Sequence, residues 1–380
     1  MRLLLIITDY GSFNNFLSEL VIKMRDKGHE IDVLCSDEKV INVKDKYDYA
    51  GMGINIHFAA FPRGFNVISQ FKASLQIHKL INRISPDLIH IHFTTGIFTT
   101  VFYKKPATIT IGTIHGLGFP MVKGLRRFIF KCVEFFAIKR LDSVWVLNNY
   151  DYNILKMNNK TFMIDSVGLG CDLKKFNINL FDHQKINVRE NLGINNEDFV
   201  IAYTGRFVNF KGFDLVVRSF LELNKNYPST FKLILIGGND SIHPSGLTRA
   251  EENAYLSDPD IVKIGFTNEV EKCLAVSDVF LFPSLKEGMP VCIIEALSMG
   301  KPVITANTRG CNDLIQDQIN GILLSDKPTA DEIVNAVLLL KNTPELLAEL
   351  GNNALKNRES YSREVFIDKQ IKVYDSILKT

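Results

Sequence analysis

No apolar run near the start of this chain approaches the roughly 20 residues that span a bilayer. Leu3 to Ile7 is too short for a membrane helix or a signal-peptide core, and Asp9 follows almost at once. A cytoplasmic protein without a membrane span is therefore expected. Cysteine is sparse: Cys35, Cys132, Cys171, Cys273, Cys292 and Cys311 are scattered without paired spacing, which suggests neither a disulfide framework nor a zinc site. Charge of one sign is also missing. A net charge of +2 argues against nucleic-acid binding, which usually needs a strong basic excess. No GxGxxG opens a helix after a first strand, because Gly51-Met52-Gly53 and Gly168-Leu169-Gly170 lack the third glycine. That weakens a dinucleotide-dependent oxidoreductase. No Asp-x-Asp follows a strand in the first half to hold Mg²⁺, so no metal is demanded.

What is present is enough for two cores: 380 residues, 46% of them hydrophobic. Apolar runs alternate with amphipathic stretches, the pattern of a parallel sheet covered on both faces. In the first half strands are expected at Arg2 to Thr8, Ile31 to Cys35, Ile54 to Phe58, Leu88 to Phe93 and Thr108 to Gly112, with Val144 to Leu147 closing the set. Helices are expected at Asn14 to Lys27 and Val67 to Ile84, the latter ending before Pro86. The pattern restarts with the strand ending at Thr204. Lys232 to Ile236, Val262 to Ile264, Val279 to Phe282 and Pro302 to Thr305 follow, each with a loop and a helix, making a second Rossmann-like unit.

Two constellations in that second unit carry chemistry. Glu287 and Glu295 bracket Gly288-Met289-Pro290-Val291-Cys292-Ile293-Ile294, a Gly/Pro turn running into an apolar helix. A helix opening near Pro290 points its unpaired amides and positive dipole end forward, where a diphosphate is the natural guest. Glu295, one turn in, can accept from ribose hydroxyls, and Glu287 can reach the hydroxyls of a transferred sugar. Taken alone the pair also fits two solvated charges flanking a helix. Upstream, Phe199 to Tyr203 ends in Thr204-Gly205-Arg206, with Lys211-Gly212 beyond. Open α/β sheets bind ligands at strand ends, and a guanidinium fork with a flexible ammonium can neutralise a diphosphate. Surface cations in a polar loop give the same letters.

Gly205-Arg206…Lys211-Gly212, Pro283-Ser284-Leu285-Lys286-Glu287-Gly288, Glu295-Ala296 and Gly300-Lys301-Pro302-Val303-Ile304 resemble, in order and spacing, the retaining nucleotide-sugar glycosyltransferases of glycosyltransferase family 4. The resemblance extends to Gly28-His29-Glu30-Ile31, Thr113-Ile114-His115-Gly116 and Gly168-Leu169-Gly170-Cys171-Asp172, so it covers most of the chain. His115-Gly116-Leu117-Gly118-Phe119 is most similar to enzymes of capsule and O-antigen assembly that use UDP-N-acetylhexosamines.

The resemblance implies the GT-B fold: two Rossmann-like domains facing across a cleft, with a C-terminal helix crossing back to the first. The expected partition is 1–168 for the acceptor side, 169–361 for the nucleotide-sugar domain, and 362–380 for the returning helix. It implies retaining, metal-independent transfer of an N-acetylhexosamine or related hexose from a UDP-sugar to an undecaprenyl-diphosphate-linked saccharide. His115, Glu287, Arg206 and Lys211 are the implied catalytic residues. Gly11, Gly205, Arg206, Lys211, Phe266, Thr267, Glu287, Gly288, Met289, Pro290, Val291 and Glu295 are the implied donor-binding set, with no metal ligand and no cofactor. The first loop, Thr8-Asp9-Tyr10-Gly11-Ser12-Phe13, departs from the family in carrying one glycine where many relatives carry two. Gly11 serves either the donor phosphates or a plain tight turn. Gly265-Phe266-Thr267-Asn268 is placed to hold uracil and equally reads as a strand-to-helix loop with Thr267 or Asn268 as N-cap, two compatible readings. Asn239 and Asp240 could also approach the donor, but their signal is weaker and they are left out of the implied set.

Met121 to Arg140 mixes six basic residues with Leu125, Phe128, Ile129, Phe130, Val133, Phe135, Phe136 and Ile138. Such a helix fits the inner face of an anionic membrane, and equally a domain helix with a solvated basic side. Two rival functions remain. A UDP-sugar 2-epimerase-like enzyme would share the donor half but needs acid/base carboxylates in the first half, where Asp9 is the candidate. A non-catalytic sugar-nucleotide-binding scaffold would not need the intact charged set.

Overall fold

The structure, a computed structural model, describes residues 1–37, 46–62, 64, 66–156, 159–239 and 248–378. The chain divides into two compact units, Met1–Asp165 with Ile367–Thr380, and Ser166–Phe366.

In the first unit the order is β1 (Arg2–Ile6), α1 (Tyr10–Phe16), α2 (Ser18–Asp26), β2 (Glu30–Cys35), β3 (Asn55–Phe58), α3 (Val67–Ile84), β4 (Leu88–His92), α4 (Thr94–Val101), β5 (Ile109–Ile114), α5 (Gly124–Lys139), β6 (Ser143–Val146), α6 (Asn149–Leu155) and β7 (Thr161–Met163). Among the described residues these strands form a seven-stranded parallel sheet, ordered β3-β2-β1-β4-β5-β6-β7. Its central strands are buried on both faces, which is why they read as continuous apolar runs. The expected helix over Asn14 to Lys27 starts earlier and is two helices, broken at Leu17. The sheet is closed by β7, not by the strand at Val144, because Thr161–Met163 is too short and too exposed to show an apolar run.

The second unit contains α7 (Lys185–Asn191), β8 (Phe199–Thr204), α8 (Phe213–Asn226), β9 (Phe231–Ile236), α9 (Arg249–Tyr255), β10 (Ile261–Gly265), α10 (Val270–Val276), β11 (Val279–Phe282), α11 (Val291–Ser298), β12 (Val303–Ala306), β13 (Gly321–Leu324), α12 (Ala330–Asn342) and α13 (Pro344–Lys356). Among the described residues it has a six-stranded parallel sheet, ordered β10-β9-β8-β11-β12-β13. The strand β12 leads to β13 rather than straight to a helix, which the alternating pattern did not show. A helix α14 (Arg363–Ile377) ends the described chain, and its residues from Ile367 on belong to the first unit.

Each sheet reverses its strand order once: between β1 and β4 in the first unit, and between β8 and β11 in the second. Ligands of open α/β sheets bind beyond the strand ends at such reversals.

Candidate active site

The reversal in the second sheet is flanked by the loop after β8, carrying Gly205, Arg206 and Lys211, and the loop after β11, carrying Glu287. Backbone stitching holds the two loops together. Leu285 N–H donates to Phe210 O at 2.9 Å, and Ser284 Oγ lies 3.2 Å from the same carbonyl. Gly212 has φ +75°, and a Cβ there would lie 2.5 Å from Pro283 O, so no larger residue fits.

Across this contact Lys211 Nζ meets Glu287 Oε1 at 2.5 Å, and Ser284 Oγ donates to the same oxygen at 2.7 Å. Lys211 also lies over the rings of Phe210 and Phe282, while Arg206 is exposed with its guanidinium 5.6 Å from the Phe210 ring. Tyr203, buried at the end of β8, donates its hydroxyl to Arg206 O at 3.0 Å and so sets the backbone beneath that cation. Two neighbouring thiols stay neutral. Burial first, and Glu287 second, push Cys292 well up and Cys311 up to about 12.

From Gly288 the chain passes Met289, against which Gly168 packs, to Pro290 at the N-cap of α11. No side chain caps this helix, so its first-turn amides, beginning at Val291, supply donors and a positive dipole end. Glu295 is half-buried one turn in.

The loop after β10 lies on the same edge of the sheet. Gly237 N–H donates to Gly265 O at 2.8 Å, and the Phe266 ring covers Gly238, where a Cβ would meet it at 2.8 Å. Phe266 is 79% exposed, an open aromatic face. Thr267 Oγ1 accepts from Glu269 N–H at 3.0 Å, but the N-cap position of α10 is Glu269, one residue beyond the two expected. Asn239 follows β9 on this edge, and Asp240 lies outside the described residues.

In the first unit β5 runs to Ile114, and His115 stands directly past it. Its Nε2 is 3.0 Å from His92 Nδ1, and its ring centroid is 4.2 Å from that of Phe93. Desolvation pushes the His115 imidazole down to about 3, so it is neutral at ordinary pH. Three buried carboxylate oxygens hold the following turn. Asp151 Oδ2 accepts from Leu117 N–H at 3.2 Å, and Glu134 accepts from Gly118 N–H and Phe119 N–H at 2.7 and 3.1 Å. His90 and His92 share a face, with ring centroids 4.2 Å apart. His90 meets Tyr374 OH at 2.5 Å and Thr113 Oγ1 at 2.7 Å. Gly11 sits in the first turn of α1, where Asp9 is the N-cap and accepts from Ser12 N–H at 2.9 Å.

Several contributors were missed from the letters alone. Arg309, in the loop after β12, is buried and donates from Nε to Glu287 O at 2.8 Å, and Thr308 Oγ1 donates to Ser284 O at 2.8 Å. Only the position of Arg309 just past a strand end hinted at this. Phe93 adopts φ 67° at the N-cap of α4, a conformation rare for a bulky residue and costly enough to need support from its surroundings. No glycine marks that strain in the sequence.

These two parallel-sheet units define a GT-B architecture. Sucrose-phosphate synthase from Thermosynechococcus elongatus superposes with a TM-score of 0.81 at 17% identity, covering all of both chains. HepE from Anabaena in complex with UDP superposes at 0.78 and 17% identity, covering 99% of this chain and all of the other. Residues 3–148 match the model "Glycosyl transferase 4-like" and residues 184–357 match "Glycosyl transferases group 1". The chain belongs to the glycosyltransferases of this type. It is 26% identical to the Escherichia coli UDP-Gal:alpha-D-GlcNAc-diphosphoundecaprenol alpha-1,3-galactosyltransferase, covering 87% of this chain and 84% of that one. It is 24% identical to the Campylobacter jejuni N,N'-diacetylbacillosaminyl-diphospho-undecaprenol alpha-1,3-N-acetylgalactosaminyltransferase, covering 97% of each. The Staphylococcus aureus capsular polysaccharide glycosyltransferase CapM is 24% identical over 94% of this chain and 92% of that protein.

Proposed function

We propose that the protein transfers a hexose, best an N-acetylhexosamine, from a UDP-sugar to an undecaprenyl-diphosphate-linked saccharide in cell-surface polysaccharide assembly, retaining the anomeric configuration without a metal. The observation that carries this reading is the Lys211–Glu287 pair at the strand-order reversal, between exposed Arg206 and the uncapped start of α11. Relatives named for UDP-galactose and for diphosphoundecaprenol acceptors support the donor and acceptor classes.

In this mechanism the bond from the anomeric carbon to the diphosphate oxygen breaks, and its electron pair leaves on UDP. The acceptor hydroxyl bonds to that carbon on the same face, and its proton passes to the leaving phosphate. Arg206, Lys211 and the amides of Gly288, Met289 and Val291 stabilise the growing negative charge, a preorganised arrangement that costs no reorganisation during the step. A bound phosphate draws Lys211 away from Glu287, which is then available to the sugar hydroxyls. Glu295 takes the ribose, Phe266 and Thr267 the uracil, with Gly205 and Met289 shaping the walls. Within the first unit, the neutral His115 is suited to positioning a sugar hydroxyl, and Gly11 lies in the opening turn of α1. Asp9 is occupied locally, accepting from Ser12 N–H, Ser12 Oγ and Thr8 Oγ1, so it is a poor acid/base for an epimerase.

No helix among the described residues is long and apolar enough to cross a membrane. Access to a lipid-linked acceptor in this reading comes from α5, resting on the inner membrane face. Thermal unfolding with UDP-, GDP-, ADP- and TDP-sugars in EDTA tests the whole reading, because a ligand bound only to the folded state raises its stability. Selective stabilisation by one UDP-sugar, lost in Arg206→Ala with Glu295→Ala, is expected. Indifference to every nucleotide overturns the reading.

A further inference from the structure

The first turns of α5 are exposed on every side: residues 123–129 are all solvent-facing, Leu125 at 74% and Phe128 at 64%. Met121 and Ile129 add apolar surface, while Lys123, Arg126, Arg127 and Lys131 supply positive charge and no acidic residue lies between 121 and 133. The chemistry that complements such a surface is an anionic lipid headgroup layer over acyl chains. Further along, the same helix turns inward. Glu134 is buried and accepts the amides of Gly118 and Phe119, three and four residues past His115. Gly118 lies so close that a Cβ would be 3.1 Å from Glu134 Oε1 and 3.3 Å from the Phe130 ring, and the Phe119 and Phe135 rings lie 6.1 Å apart. Gly116 at φ 120° and Gly124 at φ 59° bracket this segment, so its two ends bend at positions other residues rarely adopt.

We infer that Glu134 couples these features: seating α5 on an anionic lipid surface tightens the loop that carries His115. A helix transmits position along its length, about 1.5 Å per residue, so the exposed turns and Glu134 move as one rod. A carboxylate taking two backbone amides is a charge-assisted clamp and resists displacement more than a neutral contact. The His115 loop therefore takes its order from α5, and transfer becomes most effective where lipid-borne acceptor is present. The inference rests on the membrane reading above and adds Glu134 to it as a positioning residue.

Hydrogen exchange on the full chain, with vesicles of phosphatidylglycerol and phosphatidylcholine or of phosphatidylcholine alone, reads both parts. Anionic vesicles are expected to slow exchange in 124–130 and also at the amides of Leu117, Gly118 and Phe119. Protection of α5 without any change at 117–119 overturns the coupling alone, whereas absence of protection in α5 overturns the docking on which it rests. Glu134→Gln should keep α5 protection and lose the response at 117–119; an unchanged response removes Glu134 from the path. Leu125→Ser with Phe128→Ser, at exposed positions, should lose both protections at an unaltered melting temperature. Retained protection in that folded variant also overturns the proposal.

Discussion

Lys211 and Glu287 stand 76 positions apart yet share a 2.5 Å contact, with side chains 19% and 10% exposed. A charge this poorly solvated depends on its partner, and losing one member of a buried pair typically costs about 3 kcal/mol. Lys211→Ala is therefore expected to lower the urea midpoint by that order and to lower turnover, since Ser284 alone remains on the Glu287 carboxylate. Glu287→Gln keeps an oxygen for Ser284 and should destabilise less. A Lys211→Ala protein as stable as the parent would show that the pair carries no such dependence. Both residues are legible in the sequence, because strand ends and a Gly/Pro helix start mark where ligands are met. Their mutual contact is not, because nothing local states which strand-end loops adjoin. Arg309, Glu134 and Asp151 escaped for the same reason: each acts through backbone groups 22, 16 and 34 residues away.

At the scale of elements, α14 brings Tyr374 to β4. Its hydroxyl accepts from Gln370 Nε2 at 2.7 Å and donates to His90 Nδ1, and its ring stacks on Trp145 with centroids 5.5 Å apart. His90 in turn donates from Nε2 to Thr113 Oγ1, so it is held neutral, and burial pushes its imidazole down to about 3. Between pH 6.5 and 3 the unfolded chain binds a proton at this histidine that the folded chain does not. Stability from His90 is therefore fully present above 6.5 and falls as pH is lowered, by up to about 1.4 kcal/mol per unit, and His115 adds the same sign. Urea unfolding from pH 7.5 to 5 should show that decline, with a shallower slope in His90→Asn. Tyr374→Phe leaves Nδ1 without its donor and should cost about 1–2 kcal/mol at pH 7.5. A pH-independent midpoint over this range would contradict a buried neutral His90. The helix itself was implied by the family resemblance, but His90 gave no sign of a partner 284 residues away.

The whole molecule repeats one plan, with separate hydrophobic clusters in Met1–Asp165 and in Ser166–Phe366. Units with their own cores unfold as separable steps. Calorimetry is expected to resolve two transitions, and UDP at about 100 times its Kd should raise the one belonging to Ser166–Phe366 by about 2.7 kcal/mol. A shift confined to the other transition would move the nucleotide site to the first unit.

Fold class, the two-unit organisation and the charged motifs at the strand ends were determined by the sequence itself. They depend on local quantities: apolar period, turn residues, and the spacing of charges around strand ends. Only the tertiary structure decided that Lys211 meets Glu287, that Glu134 and Asp151 hold the loop of His115, and that Tyr374 caps His90. It also decided that β7 and β13 extend the sheets. Each of these is a pairing across long stretches of chain, settled by strand order and close packing, which the energetics of any one segment do not encode.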